Sequence, residues 1–279
     1  MPKKYEFKRS LNVFKAEFKM RFKSTLIWLV LIVGLMTMYM LLYPIVNDLM
    51  GEKLSLMPEE LLQVFGMSSH SIVDNYNSYF AMIYQIILIV LSCYGVSLGA
   101  NALYEEEKTK SIEFLNSVQV SRLEIYIGKV FVVMVNLVIL LIGALTTTVL
   151  CGVIAGGGTL DLMAIFSVYK ISGITVFFFI ALGFFLASSL KKDTKPSMVG
   201  IGVLFATYII GYLGELIADR IKFLKMLSPL HITSASTIMD SKLGNGVLDY
   251  NLLPVAIIGV LMCLLIVGGA LFYRKRDFL

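Results

Sequence analysis

A charged segment at positions 105–129, between two long apolar runs, holds the residues best suited to specific chemistry. Glu106 and Lys110 are spaced for an i,i+4 ion pair, which indicates a short surface helix. The same helix presents an apolar knob formed by Ile112, Phe114, Leu115 and Val118. Such a knob fits either a hydrophobic groove on a partner protein or the headgroup region of a bilayer.

The rest of the chain has no pattern typical of a catalytic, metal-binding or nucleotide-binding site. The three cysteines lie inside apolar runs without a CxxC pair, and the two histidines are isolated. Gly128-Lys129 is the sole Gly-Lys pair, and the residues around it do not form the phosphate-binding pattern GxxxxGK[ST]. We therefore predict no catalytic residue, no metal site and no cofactor bound by this chain, so that any ATPase would be a separate subunit.

The composition is that of a membrane protein. Hydrophobic residues make up 58% of the chain and charged residues 15%, and the mean hydropathy is +0.83. A helix needs about 20 apolar residues to cross a hydrocarbon core of about 30 Å. Runs of that length predict an all-α, polytopic fold with six transmembrane helices, at 25–46, 78–104, 128–155, 171–190, 196–213 and 252–273.

The distribution of lysine and arginine predicts the orientation of the six spans. With the N-terminus inside, 18 of the 24 lysines and arginines fall in the cytoplasmic segments, including the tail at 274–279. Both termini are therefore expected in the cytoplasm. The net charge of +5 is mostly this orientation signal, which disfavours nucleic acid as a partner.

The first 24 residues predict a cytoplasmic amphipathic helix lying in the inner membrane interface, with its aromatic side toward the lipid. Lysines of this segment lie off the aromatic stripe. The helix either anchors the first span or docks a partner. The stripe is formed by Phe7, Leu11, Phe14, Phe18 and Phe22.

Charged residues are absent from the central parts of the predicted spans, and Lys170 is expected to mark the outer end of the fourth. Ion-coupled carriers keep ionisable side chains at membrane depth, because the coupling ion must bind there. If this protein moves a cargo against a gradient, we expect the energy to enter from outside the bilayer.

The outer segments are predicted at 47–77 and 214–251. Apolar and charged residues alternate at helical spacing over 214–225, so this part either re-enters the bundle or rests in the outer interface. Within the second span, Gly95 and Gly99 form a GxxxG pair. That spacing favours close helix packing, within one subunit or between two.

The charged segment resembles the first cytoplasmic loop of the ABC-2 family of ABC-transporter permeases. That loop follows the pattern G-T-[LI]-E-x-L-x-x-x-P-[VI]-S-R, and a G-K pair comes shortly after it. Ser111-Ile112 stand for Thr-Leu, whereas Lys110 replaces the glycine and Gln119 the proline. The matching residues are Glu113, Leu115, Val120, Ser121, Arg122, Gly128 and Lys129.

The resemblance implies that 105–118 form a coupling helix, whose knob lies in a cleft of a cytoplasmic ATP-binding subunit. ATP and Mg²⁺ would be bound by that subunit, and two permease copies or two related chains would form the path. Arg122 would pair with nearby acids or lipid phosphate, and Lys129 would mark the inner end of the third span. The implied coupling residues are Glu105, Glu106, Glu107, Ser111, Ile112, Glu113, Phe114, Leu115, Val118, Ser121, Arg122 and Lys129.

The sequence therefore predicts the permease subunit of an ATP-driven ABC transporter in a cell membrane, which the resemblance suggests is a bacterial plasma membrane. The resemblance implies export, and the apolar spans favour a lipophilic or amphipathic cargo, such as a drug or a membrane-active peptide. The alternative is an energy-independent channel or a structural membrane scaffold that carries a charged inner loop.

Overall fold

The computed structural model describes residues 3–54, 76–109, 122–156, 158, 160–191, 194–216, 222–240 and 251–275. Every regular element among these residues is helical. The elements are α1 (Lys3–Leu41), α2 (Tyr43–Leu54), α3 (Tyr76–Thr109), α4 (Arg122–Ala155), α5 (Leu162–Ser189), α6 (Pro196–Leu216), a 3-10 helix (Lys222–Leu227), α7 (Pro229–Ile232), α8 (Ala235–Asp240) and α9 (Leu253–Lys275).

Six segments of the described chain are long and apolar enough to cross a membrane, which confirms the predicted six-span, all-α membrane fold. They lie in α1 with the start of α2, and in α3, α4, α5, α6 and α9. Because six is an even number, α1 begins and α9 ends on the same side. We call this side the inner end, since its lysines and arginines predict that it faces the cytoplasm.

Two helices form the centre of the bundle. In α3 and α5, 67% of the most apolar stretch is buried, against 17% in α9. A methyl group added at Gly99 would overlap the Ile180 carbonyl oxygen, and one added at Gly183 would overlap that of Val96. The glycines therefore let the two backbones touch. The GxxxG pair of α3 thus serves packing within this chain.

The other spans surround this central pair. α1 packs against α4, α6 lies against both central helices, and α9 covers α5 and part of α4. The outward faces of α1, α6 and α9 are apolar and exposed, as at Val30, Phe205 and Leu264. Such faces are what a bundle in lipid presents to hydrocarbon.

A re-entrant block at residues 228–240 enters the bundle from the outer end. Ser228, Leu230 and Thr233 are fully buried. Gln85 Nε2 of α3 donates to the Leu230 carbonyl at 3.3 Å, and Thr175 Oγ1 of α5 lies 2.7 Å from Thr233 Oγ1. Interrupted backbone at membrane depth needs partners within the protein, and these side chains supply them. The buried block lies beyond 214–225, where the sequence had suggested re-entry.

An aromatic cluster joins the outer halves of α1, α3, α4 and α5. The rings of Tyr84 and Tyr169 lie 4.6 Å apart, and both are buried. Tyr169 Oη is 2.9 Å from Thr148 Oγ1, and Tyr76 Oη donates to the Thr148 carbonyl at 3.0 Å. Each buried phenol therefore has a neutral partner.

The helix of the fourth predicted span extends outward past Lys170, which the sequence predicted to mark the outer end of that span. α5 begins two turns earlier at Leu162, where the Asp161 carboxylate accepts hydrogen bonds from the Met163 and Ala164 amides. An acidic N-cap satisfies amides that no helical carbonyl can reach. Lys170 is exposed on the helix surface, and a long side chain in that position can extend its amine toward the interface.

The predicted interfacial helix and first span form one element, because α1 runs without interruption from Lys3 to Leu41. Its 39 residues measure about 58 Å at about 1.5 Å per residue. About half of this length exceeds a hydrocarbon core of about 30 Å. Residues 17–24 therefore continue the bundle helix, and no helix end separates them from the span at 25–46.

Candidate functional site at the inner end

Three charged side chains are buried together where α1, α3 and α4 meet at the inner end. They are Glu17 and Arg21 on α1 and Lys129 on α4, and Lys129 is only 1% exposed. We call them the inner charge cluster. Among the side chains whose burial the structure describes, these are the buried charged ones, and every other Asp, Glu, Lys or Arg of that set is at least partly exposed.

The cluster is organised around one carboxylate and one backbone carbonyl. Glu17 Oε1 lies 3.3 Å from Lys129 Nζ, and Glu17 Oε2 lies 3.4 Å from Arg21 Nη2. Both cations also donate to the carbonyl oxygen of Ala102 on α3, Lys129 at 2.9 Å and Arg21 at 3.3 Å. Four residues on three helices thus form one connected polar network.

The repeat of α1 positions its part of the cluster. Glu17, Arg21 and Thr25 are buried at successive steps of four, and Ile32 and Met36 continue the same face toward the outer end. Thr25 Oγ1 lies 3.3 Å from Tyr94 Oη on α3, and the Trp28 ring packs at a tilt against Tyr94 with 4.7 Å between centroids. α1 is therefore also held against α3 on the outer side of the cluster.

Burial makes this ion cluster energetically sensitive. Removing a charged group from water costs several kcal/mol, so a buried charge persists only where it is paired and hydrogen-bonded. In this cluster the Glu17 carboxylate lies between two cations, and each cation has a second acceptor in Ala102. Loss of Glu17 would leave two cations buried without their carboxylate, and loss of either cation would remove one of the two charges that compensate Glu17.

The inner charge cluster lies at both flanks of the predicted coupling segment. Ala102 is one turn before Glu105, and Lys129 is two turns after Arg122, where α4 begins. The cluster therefore ties the helix that leads into the segment to the helix that leads out of it, and ties both to α1.

The predicted coupling residues are only partly covered by the structure. The backbone of Glu105, Glu106 and Glu107 continues α3, which ends at Thr109, but their side chains lie outside the described residues. Arg122 is the first residue of α4 and is half-buried. Those that lie wholly outside the described residues are Ser111, Ile112, Glu113, Phe114, Leu115, Val118 and Ser121.

The aromatic stripe of the N-terminal segment is also covered in part. Phe18 and Phe22 are half-buried, and their ring centroids are 5.3 Å apart. The side chains of Phe7, Leu11 and Phe14 lie outside the described residues.

Lys129 has a different position from the one that the sequence predicted. It lies two turns inside α4 instead of marking the inner end of that span, and its amine is buried against Glu17. Sequence reasoning missed Glu17 and Arg21 altogether. Their i,i+4 spacing on the face that continues through Thr25 and Ile32 was the available signal.

No group of three His, Cys, Asp or Glu side chains among the described residues is arranged to hold a metal ion. The charged side chains of the site join three helices through ion pairs and hydrogen bonds.

The sequence model of the family described as "ABC-2 family transporter protein" matches residues 11–278, nearly the whole chain. No curated protein matches the chain significantly.

Proposed function

Because the chain belongs to the ABC-2 family of transporter proteins, we propose that this multi-pass permease subunit works in an ATP-driven exporter. Separate ATP-binding subunits would hold ATP and Mg²⁺ and would drive the permease through the segment at 105–118. The cargo would be lipophilic or amphipathic, and the path would lie between two permease copies in a bacterial cell membrane.

The inner charge cluster is the observation that carries this proposal. A force applied to the coupling segment acts on the end of α3 and the start of α4. Lys129 and Ala102 join these two helices, and Glu17 and Arg21 add α1 to the same unit. A displacement at the inner surface would therefore move three spans together, as a lever requires.

The placement of charge supports an external energy source. Within the described spans, the buried charged side chains all lie at the inner end, and Lys170 of α5 is exposed. Ion-coupled carriers place ionisable groups near the middle of the membrane. Hydrolysis of ATP by a partner subunit requires no such group in the permease.

The packing of the bundle supports a path between copies. α3 and α5 touch through Gly99 and Gly183, which leaves no room for a cargo between the two central helices. The outward faces of α1, α6 and α9 are apolar, so a path bounded by such faces would suit a lipophilic or amphipathic molecule.

The test is co-purification of the full chain with candidate ATP-binding subunits, followed by measurement of ATP turnover. The variant Ile112→Asp/Phe114→Asp/Leu115→Asp places carboxylates where the proposal requires apolar contact. Burying an unpaired carboxylate costs several kcal/mol, and about 1.4 kcal/mol is tenfold in affinity. We expect recovery of the ATPase to fall at least about tenfold.

The matched control is Asn116→Asp/Ser117→Asp/Gln119→Asp, which adds the same charge to polar positions of the same segment. It should retain most of the ATPase. Unchanged assembly and turnover in the apolar-to-Asp variant would refute coupling through this segment. Cargo flux that continues after ATP depletion would instead favour the energy-independent channel.

A further inference from the structure

We propose that the exposed face of α1 at the inner end binds anionic phospholipid head groups through Lys15, Lys19 and Lys23. We call these three residues the lysine stripe. All three are exposed. In the part of the chain that the structure describes, none of them makes an ion pair or a side-chain hydrogen bond.

The lysine stripe is confined to one side of the helix. Steps of four residues advance about 40° beyond a full turn, so the three side chains fall within an arc of about 80° and rise about 6 Å per step. Glu17 and Arg21 face the bundle interior on another side of the same turns. α1 therefore carries a paired, buried charged face and a separate basic face that is open.

The spacing of the stripe is unfavourable without a counter-charge. Like charges at i,i+4 destabilise a helix. The positions three and four residues from each lysine hold no acidic residue, so the helix itself does not neutralise the stripe. An external anion that bridges two or three of the amines would reverse the repulsion.

The position of the stripe identifies that anion as a lipid head group. The same side of α1 continues through Leu26 and Val30, which are 42% and 68% exposed and form an apolar face of the kind that meets hydrocarbon. Lys23 is about one turn from Leu26, about 4.5 Å along the axis. The stripe therefore starts at headgroup depth and points into the layer where lipid phosphates lie, whereas an acidic protein partner would have to displace that layer.

The experiment uses the full chain reconstituted in vesicles of equal parts phosphatidylcholine and phosphatidylglycerol. The protein is re-extracted in mild detergent, and its bound lipids are quantified by mass spectrometry. We expect phosphatidylglycerol to be enriched on the wild-type protein. Each lysine near an anionic surface is worth about fivefold in binding, so Lys15→Gln/Lys19→Gln/Lys23→Gln should remove most of the enrichment.

Two further variants make the result specific. Lys15→Arg/Lys19→Arg/Lys23→Arg keeps the charge and should keep the enrichment. Lys191→Gln/Lys195→Gln/Lys275→Gln removes three exposed lysines from the same end of the bundle, away from α1, and should also keep most of it. A thermal unfolding midpoint for every variant shows that each one is folded.

Three results would overturn the proposal. One is equal enrichment in the wild type and the Gln variant of the stripe. Another is an equal loss in the Lys191, Lys195 and Lys275 variant, which would mean that the total charge of the inner end decides lipid retention. The third is unchanged lipid retention together with loss of a co-purifying ATP-binding subunit, which would make the stripe a protein-docking face.

Discussion

The two ends of the bundle are held together by different chemistry. At the inner end, Glu17, Arg21 and Lys129 join three helices through buried charges. In the outer half, Tyr76 and Tyr169 and the re-entrant block are held by neutral hydrogen bonds and ring packing. A neutral intramolecular hydrogen bond contributes about 1 kcal/mol net, whereas breaking a buried ion pair costs about 3–5 kcal/mol.

This difference suggests different roles for the inner end and the outer half of the bundle. Under the proposed function, bonds that are costly to break would keep the inner ends of α1, α3 and α4 together while an ATP-binding subunit pushes on them. Neutral bonds of about 1 kcal/mol can be exchanged one at a time as the outer half changes shape. We therefore expect mutations at the inner end to have larger effects on stability than hydroxyl deletions in the outer half.

The largest effect is expected for Lys129→Met, which removes one cation and keeps a side chain of similar length. Glu17 would lose its contact with α4, and the free energy of unfolding should fall by about 3–5 kcal/mol. Thermal unfolding in detergent measures this change. Lys170→Met is the matched control, because Lys170 is an exposed lysine within a span, and its midpoint should hardly move.

A double-mutant cycle shows whether the loss comes from the charge pair. Replacing both partners of a buried pair with apolar residues costs less than removing one. Glu17→Leu/Lys129→Met should therefore be more stable than the sum of the two single changes predicts. Simple additivity would mean that the two charges act independently and that the ends of the bundle do not differ in this way.

An intermediate effect is expected for Gly211→Ala, where α6 meets the re-entrant block. A methyl group at this position would overlap Ser228 Cβ and push the block away, at a cost of about 1–3 kcal/mol. Gly202→Ala on the same helix is the control. No atom lies within 4 Å of its added methyl group, so the change should stabilise the helix by about 0.5–1 kcal/mol. Equal destabilisation by both changes would contradict the tight contact.

The smallest effect is expected for Tyr169→Phe in the aromatic cluster. The ring stays packed against Tyr84, and Thr148 Oγ1 keeps its bond to the Ala144 carbonyl, so the loss should be about 1 kcal/mol. Tyr39→Phe is the control, because the Tyr39 hydroxyl makes no hydrogen bond to the described residues. A loss as large as that of Lys129→Met would remove the contrast between the two ends.

Much of the fold could be predicted because length and hydropathy are local properties. Every predicted span overlaps a helix of the structure, and the central glycines do pack closely. The predicted ends of the helices were less accurate where a charged residue was taken as the end. Lys170 and Lys129 both lie well inside helices, since a lysine can extend its amine to the interface or pair with an acid in the bundle.

The candidate site was less predictable, because its members lie far apart in the chain. Glu17 and Lys129 are separated by two complete spans, and nothing in the local pattern of either indicates the other. The re-entrant block posed the same problem. Its short helices lie inside the bundle, where Gln85 and Thr175 donate hydrogen bonds to its carbonyls. Both residues are far from the block in the sequence.

The sequence by itself determined that this chain is an all-α membrane protein with six spans, a basic inner end and a loop like that of ABC-2 permeases. Hydrophobic length, charge bias and a short motif are properties of adjacent residues, and the bilayer acts on them directly. Only the tertiary structure decided which charges are buried and which remain open. Whether Lys129 is paired and Lys23 is exposed depends on the neighbouring helices and how closely they pack, and glycines at helix contacts decide that distance.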